Sequence, residues 1–390
     1  MSLLGRLLGQ EERDLENPSG AFLDTLGGAA TYAGKSVTIE SSMQLVPVFS
    51  AVSLLAGSIG SLPVMVYRRL EEGRERATNH RAWKLLHDSP NPEMAADEVW
   101  EIVGTHLLLW GNAFLAKVRS NQGIVSELWP LRPNRVQVGK DKNGERYFTL
   151  DGRPERYTQE DILHIRGLGT DGVVGLSPVQ QARQALASSM SLEEFAARFW
   201  DNSASPGGVL RHPNRLSDPA AERLRETWTG RQAGVKNAGK TAILEEGMEW
   251  QSIGIPQNDA QFIETAGFNN LQVALLFRVP PSMLGAKTGD SLTYSSTEMQ
   301  GIDFVRWSLR RWLVRIENAL FHDPSIFVQG DRFYPEFLLD GLLRADTKTR
   351  YESYQIALDP NTGWMVPSEV RDLENLNPLP AEGGTTGEDD

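Results

Sequence analysis

The chain of 390 residues contains no cysteine. That excludes a disulfide framework and thiolate metal sites, and it suits assembly in a reducing cytoplasm. Histidine is also scarce: the six, at positions 80, 87, 106, 164, 212 and 322, show no His-Glu-x-x-His and no paired ligand spacing. His106, next to a Leu-Leu-Leu-Trp run, reads as a satisfied core histidine and not as a ligand. There is no Gly-x-Ser-x-Gly elbow. No catalytic set emerges, so the expectation is a non-enzyme with no cofactor and no metal.

Positive charge is in deficit. Lysine and arginine number 39 against 51 aspartates and glutamates, a formal net charge of −12. A protein that grips nucleic acid usually shows a basic face, because neutralising phosphates releases counterions. A high-affinity DNA clamp is therefore not expected, whereas weak, sequence-independent contact is compatible with the composition.

Long apolar runs are few. Residues 1–10 are a short Leu/Arg stretch without the apolar core of a secretory signal. Residues 41–67 carry no charge and are long enough to span a membrane. They also contain Pro47, Pro63, Gly57, Gly60 and several serines. The preferred reading is a buried helix over 46–61 followed by a strand over 64–67. A membrane-associated protein anchored by residues 41–67 is the alternative.

An α+β fold follows from the pattern along the chain. Residues 113–119 and 124–131 flank the turn Ser120-Asn121-Gln122-Gly123, and residues 135–139 and 146–150 flank Asp141-Lys142-Asn143-Gly144. A strand is expected over 162–166. Ser177-Pro178-Val179-Gln180 starts a helix running to about residue 200. Extended segments are expected over 208–211 and 241–253, with a short helix from Ser217-Asp218-Pro219 to about residue 231 between them. Asn258-Asp259-Ala260-Gln261 caps the next helix, and Pro280-Pro281 stops it. Ser295-Ser296-Thr297-Glu298 reads as a capping box for a long helix ending near His322, with Met299, Ile302, Trp312, Ile316 and Leu320 as its core stripe. A strand near 325–328, an extended piece near 333–338 and two short helices complete the pattern.

Two features look chemical. Gly167-Leu168-Gly169-Thr170-Asp171-Gly172 follows a strand with dinucleotide-binding spacing. The helix that should begin at the third glycine waits for Ser177-Pro178, so a glycine-rich turn is preferred over a nucleotide-dependent enzyme. Arg306, Arg310, Arg311 and Arg315 form a basic cluster on the long helix. A solvated or inter-subunit face paired with Asp303 and Glu317 is preferred over a phosphate-facing stripe.

Leu62-Pro63-Val64, His87 with Pro90-Asn91-Pro92, and Leu109-Trp110-Gly111-Asn112-Ala113-Phe114 resemble the N-terminal half of HK97-family bacteriophage portal proteins. So do Gly123 through Pro130-Leu131-Arg132-Pro133, Gly175-Leu176-Ser177-Pro178 and Ser205-Pro206-Gly207-Gly208-Val209-Leu210. The most specific stretch is Phe277-Arg278-Val279-Pro280-Pro281-Ser282-Met283-Leu284-Gly285 with Tyr294-Ser295-Ser296 after it. Leu343-Arg344-Ala345-Asp346 and Pro367-Ser368-Glu369-Val370-Arg371 extend the likeness, with Ser368 where the family usually has asparagine. The resemblance is colinear over about residues 43–380.

The resemblance implies a portal fold with wing, stem, clip and crown regions, oligomerising into a ring, commonly of twelve subunits. Mapped onto this sequence, residues 1–40 are a flexible arm and 41–176 the wing. Stem helices fall at 177–201 and 258–280, with the clip at 202–257 between them. A tunnel loop at 281–293 faces DNA, and the long wing helix with its strands covers 294–341. Residues 342–380 form the crown, and 381–390 a disordered tail. Ser282, Met283, Leu284, Gly285, Lys287, Thr288, Gly289 and Asp290 are the expected channel residues, with Lys287 and Asp290 cancelling in charge. The implied function is the channel at one capsid vertex for packaging and ejecting double-stranded DNA. Its implied partners are the major capsid protein, the terminase large subunit, a head-completion or adaptor protein, and weakly held DNA. The implied location is the virion, after assembly in the bacterial host cytoplasm.

Overall fold

The computed structural model describes residues 31–201, 208–211, 217, 219, 222–223, 248–252, 259–285, 294–328, 330–339 and 347–374. The uncharged stretch divides as its prolines and glycines suggest. Helix α1 (Val46–Gly60) takes Pro47 into its first turn and buries Val48, Ala51, Val52, Leu55, Ala56 and Ile59 at helical spacing. Strand β1 (Val64–Arg69) follows. No described helix is long and apolar enough to cross a membrane.

Helix α1 packs against α2 (Ala96–Trp110), whose Glu98 side chain accepts the Ala95 N–H at its start. Small residues let the two backbones meet. A Cβ at Gly60 would lie 2.7 Å from the Asp97 carbonyl, and one at Gly104 would lie 3.2 Å from the Ala56 Cα. Trp100 of α2 is buried, and its indole N–H donates to the Leu86 carbonyl at 3.0 Å.

Strands β2 (Arg74–Arg76), β3 (Asn112–Arg119), β4 (Val125–Leu131), β5 (Val136–Lys140), β6 (Arg146–Leu150), β7 (Arg156–Tyr157) and β8 (Ile162–Arg166) follow in order. They build two three-stranded sheets, β4-β3-β8 and β5-β6-β7. A third sheet, β11-β1-β2, recruits β11 (Phe333–Phe337) from far along the chain, with Val64 opposite Phe337. Every pairing among the described strands is antiparallel. A doubly wound parallel sheet, the usual host of a dinucleotide turn, is thus not what these strands form.

Alternation along β3 feeds two cores. Ala113 and Leu115 join a large core with α1, α2, β1 and the C-terminal helices. Phe114 and Ala116 join a smaller one with Trp129, Phe148, Leu150 and Tyr157 between the two sheets.

The expected single helix from Pro178 is two: α3 (Pro178–Gln181) and α4 (Arg183–Asp201), separated at Ala182, whose N–H still donates to the Pro178 carbonyl. Strands β9 (Gly208–Arg211) and β10 (Glu249–Ser252), which fall in the expected clip, pair with each other. Most of the expected clip, including most of the helix from Ser217, lies outside the described residues. Helix α5 (Asp259–Phe277) packs against α1 and α4.

The long helix comprises α6 (Tyr294–Asp303), a π-helical stretch (Phe304–Leu309) and α7 (Arg310–Phe321). Two expectations are corrected here. The helix begins at Tyr294, which puts Ser295 inside it and not at its cap. The π turn shifts the helical phase, so Trp312, Ile316 and Leu320 are buried while Met299 is exposed. The expected strand near 325–328 is instead a turn: Asp323 accepts the Ser325 N–H on its side chain, and the N–H groups of Ile326 and Phe327 on its carbonyl. Helices α8 (Thr347–Ala357) and α9 (Pro367–Leu373) close the described chain, tied by an Arg350–Glu374 ion pair.

Candidate functional site

The expected channel segment starts from a firm base. Helix α5 ends at Phe277, and Arg278 takes a left-handed φ of 57°, a conformation that costs a side chain free energy. Three bonds hold the reversal. The N–H groups of Arg278 and Val279 return to the Leu275 and Ala274 carbonyls, and the Ser308 hydroxyl donates to the Arg278 carbonyl. Val279 is buried, and Pro280 directs the chain into a 3₁₀ turn, Pro281–Leu284, that ends at Gly285 with φ of 76°.

Within that turn the expected channel residues divide. Ser282 donates to Gln300 of α6 at 2.6 Å, and Leu284 packs on the large core, so both are anchors. Met283 and Gly285 are exposed. Lys287, Thr288, Gly289 and Asp290 lie outside the described residues.

The glycine-rich segment is a packing device. Gly111 ends α2 with φ of 71°, and a Cβ there would lie 2.1 Å from the Leu176 carbonyl oxygen. The Gly167 N–H donates to the Gly111 carbonyl at 2.7 Å, and a Cβ at Gly175 would lie 1.9 Å from that same oxygen. Asn112 grips Gly175 from both sides: its Oδ1 accepts the Gly175 N–H at 2.7 Å, and its Nδ2 donates to the Gly175 carbonyl at 2.8 Å. Ser177 donates to the Leu109 carbonyl at 2.6 Å and caps Gln180, so the start of α3 is pinned to the end of α2. Three backbone segments thus meet with only hydrogen between them. Gly167 and Gly175 are used up in that contact, and no helix N-terminus opens at Gly172.

His164 and His106 are packed into the fold. Because the Gly175 N–H can only donate, Asn112 Oδ1 is an acceptor, and His164 Nε2, 2.9 Å away, must donate to it. Burial, then Arg166 and Arg146, push the His164 pKa down to about 3. His106 is not the satisfied core histidine expected. Its Nδ1 is buried without a hydrogen-bond partner, Trp110 lies edge-on to the ring, and burial followed by Arg132 lowers its pKa to about 4. Among the described residues no three His, Asp or Glu side chains converge as metal ligands.

The basic cluster does not make the expected ion pairs. Arg315 donates to the Arg166 and Gly167 carbonyls at 3.1 and 2.8 Å, bracing the glycine segment from α7. Glu317 instead accepts the Phe337 N–H at 2.9 Å, and burial raises its pKa. Sequence patterning also missed one buried ion pair. Lys117, fully buried on the large-core face of β3, reaches Asp323 at 2.6 Å and the Gln159 carbonyl at 2.6 Å. Its position in the β3 alternation, opposite an Asp-Pro turn, was the available signal.

The family profile described as "Phage portal protein" matches residues 47–375. The chain belongs to the phage portal protein family. It is 32% identical over 369 residues to the probable portal protein of Streptomyces phage phiC31, covering 90% of this chain and 79% of that one. It is 29% identical over 349 residues to the portal protein of Enterobacteria phage HK97, covering 88% and 82%. Among solved structures, a chain in the neck of a native gene transfer agent particle with C12 symmetry superposes with a TM-score of 0.59 at 24% identity, covering 92% of this chain and 99% of that one. At that identity the superposition speaks for the portal fold. The portal match spans both cores, the glycine joint and the Pro280-Pro281 turn, so the motifs that pack the chain are those that carry the likeness.

Proposed function

We propose that this chain is one subunit of a ring at a capsid vertex, through which double-stranded DNA is packaged and later ejected. The family match over most of the chain carries the reading. The ring is supported by the twelve-fold neck that holds a chain of the same fold. It is also supported by an exposed apolar row on α5, where Phe268, Leu271 and Leu275 are 57%, 39% and 67% exposed. A closed ring joins unlike faces of successive copies, and a row of this kind suits such a contact.

In this reading residues 41–176 and 294–341 form the wing, which one large core unites. Residues 177–201 and 258–280 supply the stem, 202–257 the clip, where terminase and then a head-completion protein dock, and 342–380 the crown. The arm at 1–40 and the tail at 381–390 complete the map. Residues 281–293 line the channel, starting from the anchored 3₁₀ turn. The chain works without cofactor or catalysis, in the virion, after assembly beside the major capsid protein in the host cytoplasm. Its acidic balance keeps DNA contact weak and indifferent to sequence.

Two measurements test this. Negative-stain images and native mass spectra should show rings with a central pore; monomers and dimers at every concentration would overturn it. Removing residues 285–289 should leave rings intact and produce heads that fill poorly or leak. Normal filling would remove the channel assignment.

A further inference from the structure

Among the described residues, three guanidinium groups meet in one cleft without an uncommitted carboxylate to balance them. The cleft, about 450 Å³, lies between β8 with the glycine segment on one side and α7 on the other. Arg146 donates to the Gln159 side-chain carbonyl at 2.8 Å, Arg166 to the Gly172 carbonyl, and Arg315 to the Arg166 and Gly167 carbonyls. All of these acceptors are neutral. The acid in the wall, Asp323, is already committed to Lys117.

The charges strain against one another. Burial and then Arg166 lower the Arg146 pKa, and the same two arginines help to keep His164 neutral. Half-buried cations with neutral partners are costly, and a carboxylate offers them charge-assisted and bidentate bonds.

We propose that this cleft is a socket for a carboxylate side chain of a second copy of this chain, so that each subunit of the ring is held by its neighbour through Arg146 and Arg166. The inference rests on the ring reading above. In a closed ring every subunit presents one face to a different face of the next copy, so a cationic socket on one requires an acid on the other. The chain has that acid in surplus, with 51 acidic against 39 basic residues. A phosphate of passing DNA fits the same chemistry less well. Convergent half-buried arginines would hold it, and a channel must let the duplex slide.

The test uses rings assembled from a mixture of light- and heavy-nitrogen-labelled full-length Arg146→Lys chains, treated with a zero-length carbodiimide. Peptides joining the amine introduced at position 146 to an aspartate or glutamate of the opposite label are expected. In parallel, Arg146→Glu rings should dissociate at least tenfold more readily at moderate salt, with the subunit's thermal melt unchanged. Coupling found only within one label overturns the proposal, and so do Arg146→Glu rings as durable as wild type. Loss of binding to a labelled duplex from intact Arg146→Glu rings assigns the socket to phosphate and overturns it as well. A wild-type chain that never forms rings brings down the ring reading and this socket together, whereas wild-type rings with a silent socket bring down the socket alone.

Discussion

The two cores close differently. The large one gathers residues from position 37 to position 337, and its sheet pairs β1 with β11 across more than half the chain. The small one is made from residues 114 to 162, two neighbouring sheets joined by short turns. Loop-closure entropy must be met before the first is formed, whereas the second is built from local hairpins. The expected channel turn hangs from the large core through Val279 and Leu284. The small core is a lobe attached through the sheet β4-β3-β8, whose other face packs on the large core, and at the glycine joint. Disturbing the large core should therefore disturb the whole subunit, and disturbing the small one should remain local.

The largest effect is expected where β3 meets the far end of α7. Asp323→Ala leaves the Lys117 charge buried without its partner, and such a loss costs about 3–5 kcal/mol. Urea unfolding of the subunit should show that loss in a single transition. The double variant Lys117→Met/Asp323→Leu should recover most of it, since apolar groups can replace a buried pair. A loss below about 1 kcal/mol in Asp323→Ala would mean that the pair does not join the two ends of the large core.

Next comes the glycine joint. Gly175→Ala puts a methyl 1.9 Å from the Gly111 carbonyl oxygen, against backbone that the Asn112 side chain holds from both sides. Overpacking of this kind costs about 1–3 kcal/mol. Gly172→Ala strains only a positive φ in open space and should cost less. Equal losses in thermal melts of the two variants would remove the distinction between a packing glycine and a turn glycine.

How far the sequence foretold these regions follows the same division. The small core was legible: the turns at 120–123 and 141–144 and the alternation on either side fixed β3 to β6 to within a residue or two. The helices α1 and α5 were legible as well, because prolines and capping residues mark their ends. What escaped is of two kinds. The Lys117–Asp323 pair and the Ser308 bond from the π turn to the Arg278 carbonyl join segments far apart in sequence, whereas the break at Ala182 and the turn after Asp323 are local irregularities that apolar periodicity does not mark. The glycine motif was read as a turn, but its reason, contact with Gly111 and Asn112, needed the folded chain.

Acid should separate the cores by their histidines. In the unfolded chain both His106 and His164 titrate near 6.5, while in the folded chain their pKa values fall to about 4 and about 3. The unfolded state therefore takes up protons first as pH falls. Stability is complete above about pH 6.5 and declines below it, by roughly 2 kcal/mol per histidine at pH 5. His106→Gln and His164→Gln should each flatten the slope of unfolding free energy between pH 7 and 5. An unchanged slope in His164→Gln would show that its burial is relieved in the native ensemble.

The smallest and most local effect belongs to Phe148. It is fully buried in the small core, edge-on to Phe114 and to the His164 ring. Phe148→Leu keeps the site apolar but loses ring contacts, at a cost of about 1 kcal/mol. If the lobe opens by itself, amide exchange in β5, β6 and β7 should quicken by roughly fivefold, the equivalent of that cost in free energy. Amides of α1 and α2, which belong to the large core, should keep their wild-type rates. Were α1 and α2 to exchange faster in step with β6, the two cores would open as one unit, and the shared sheet β4-β3-β8 would be a rigid coupling between them and not a hinge line. The helical amides therefore decide the matter more sharply than the strands do.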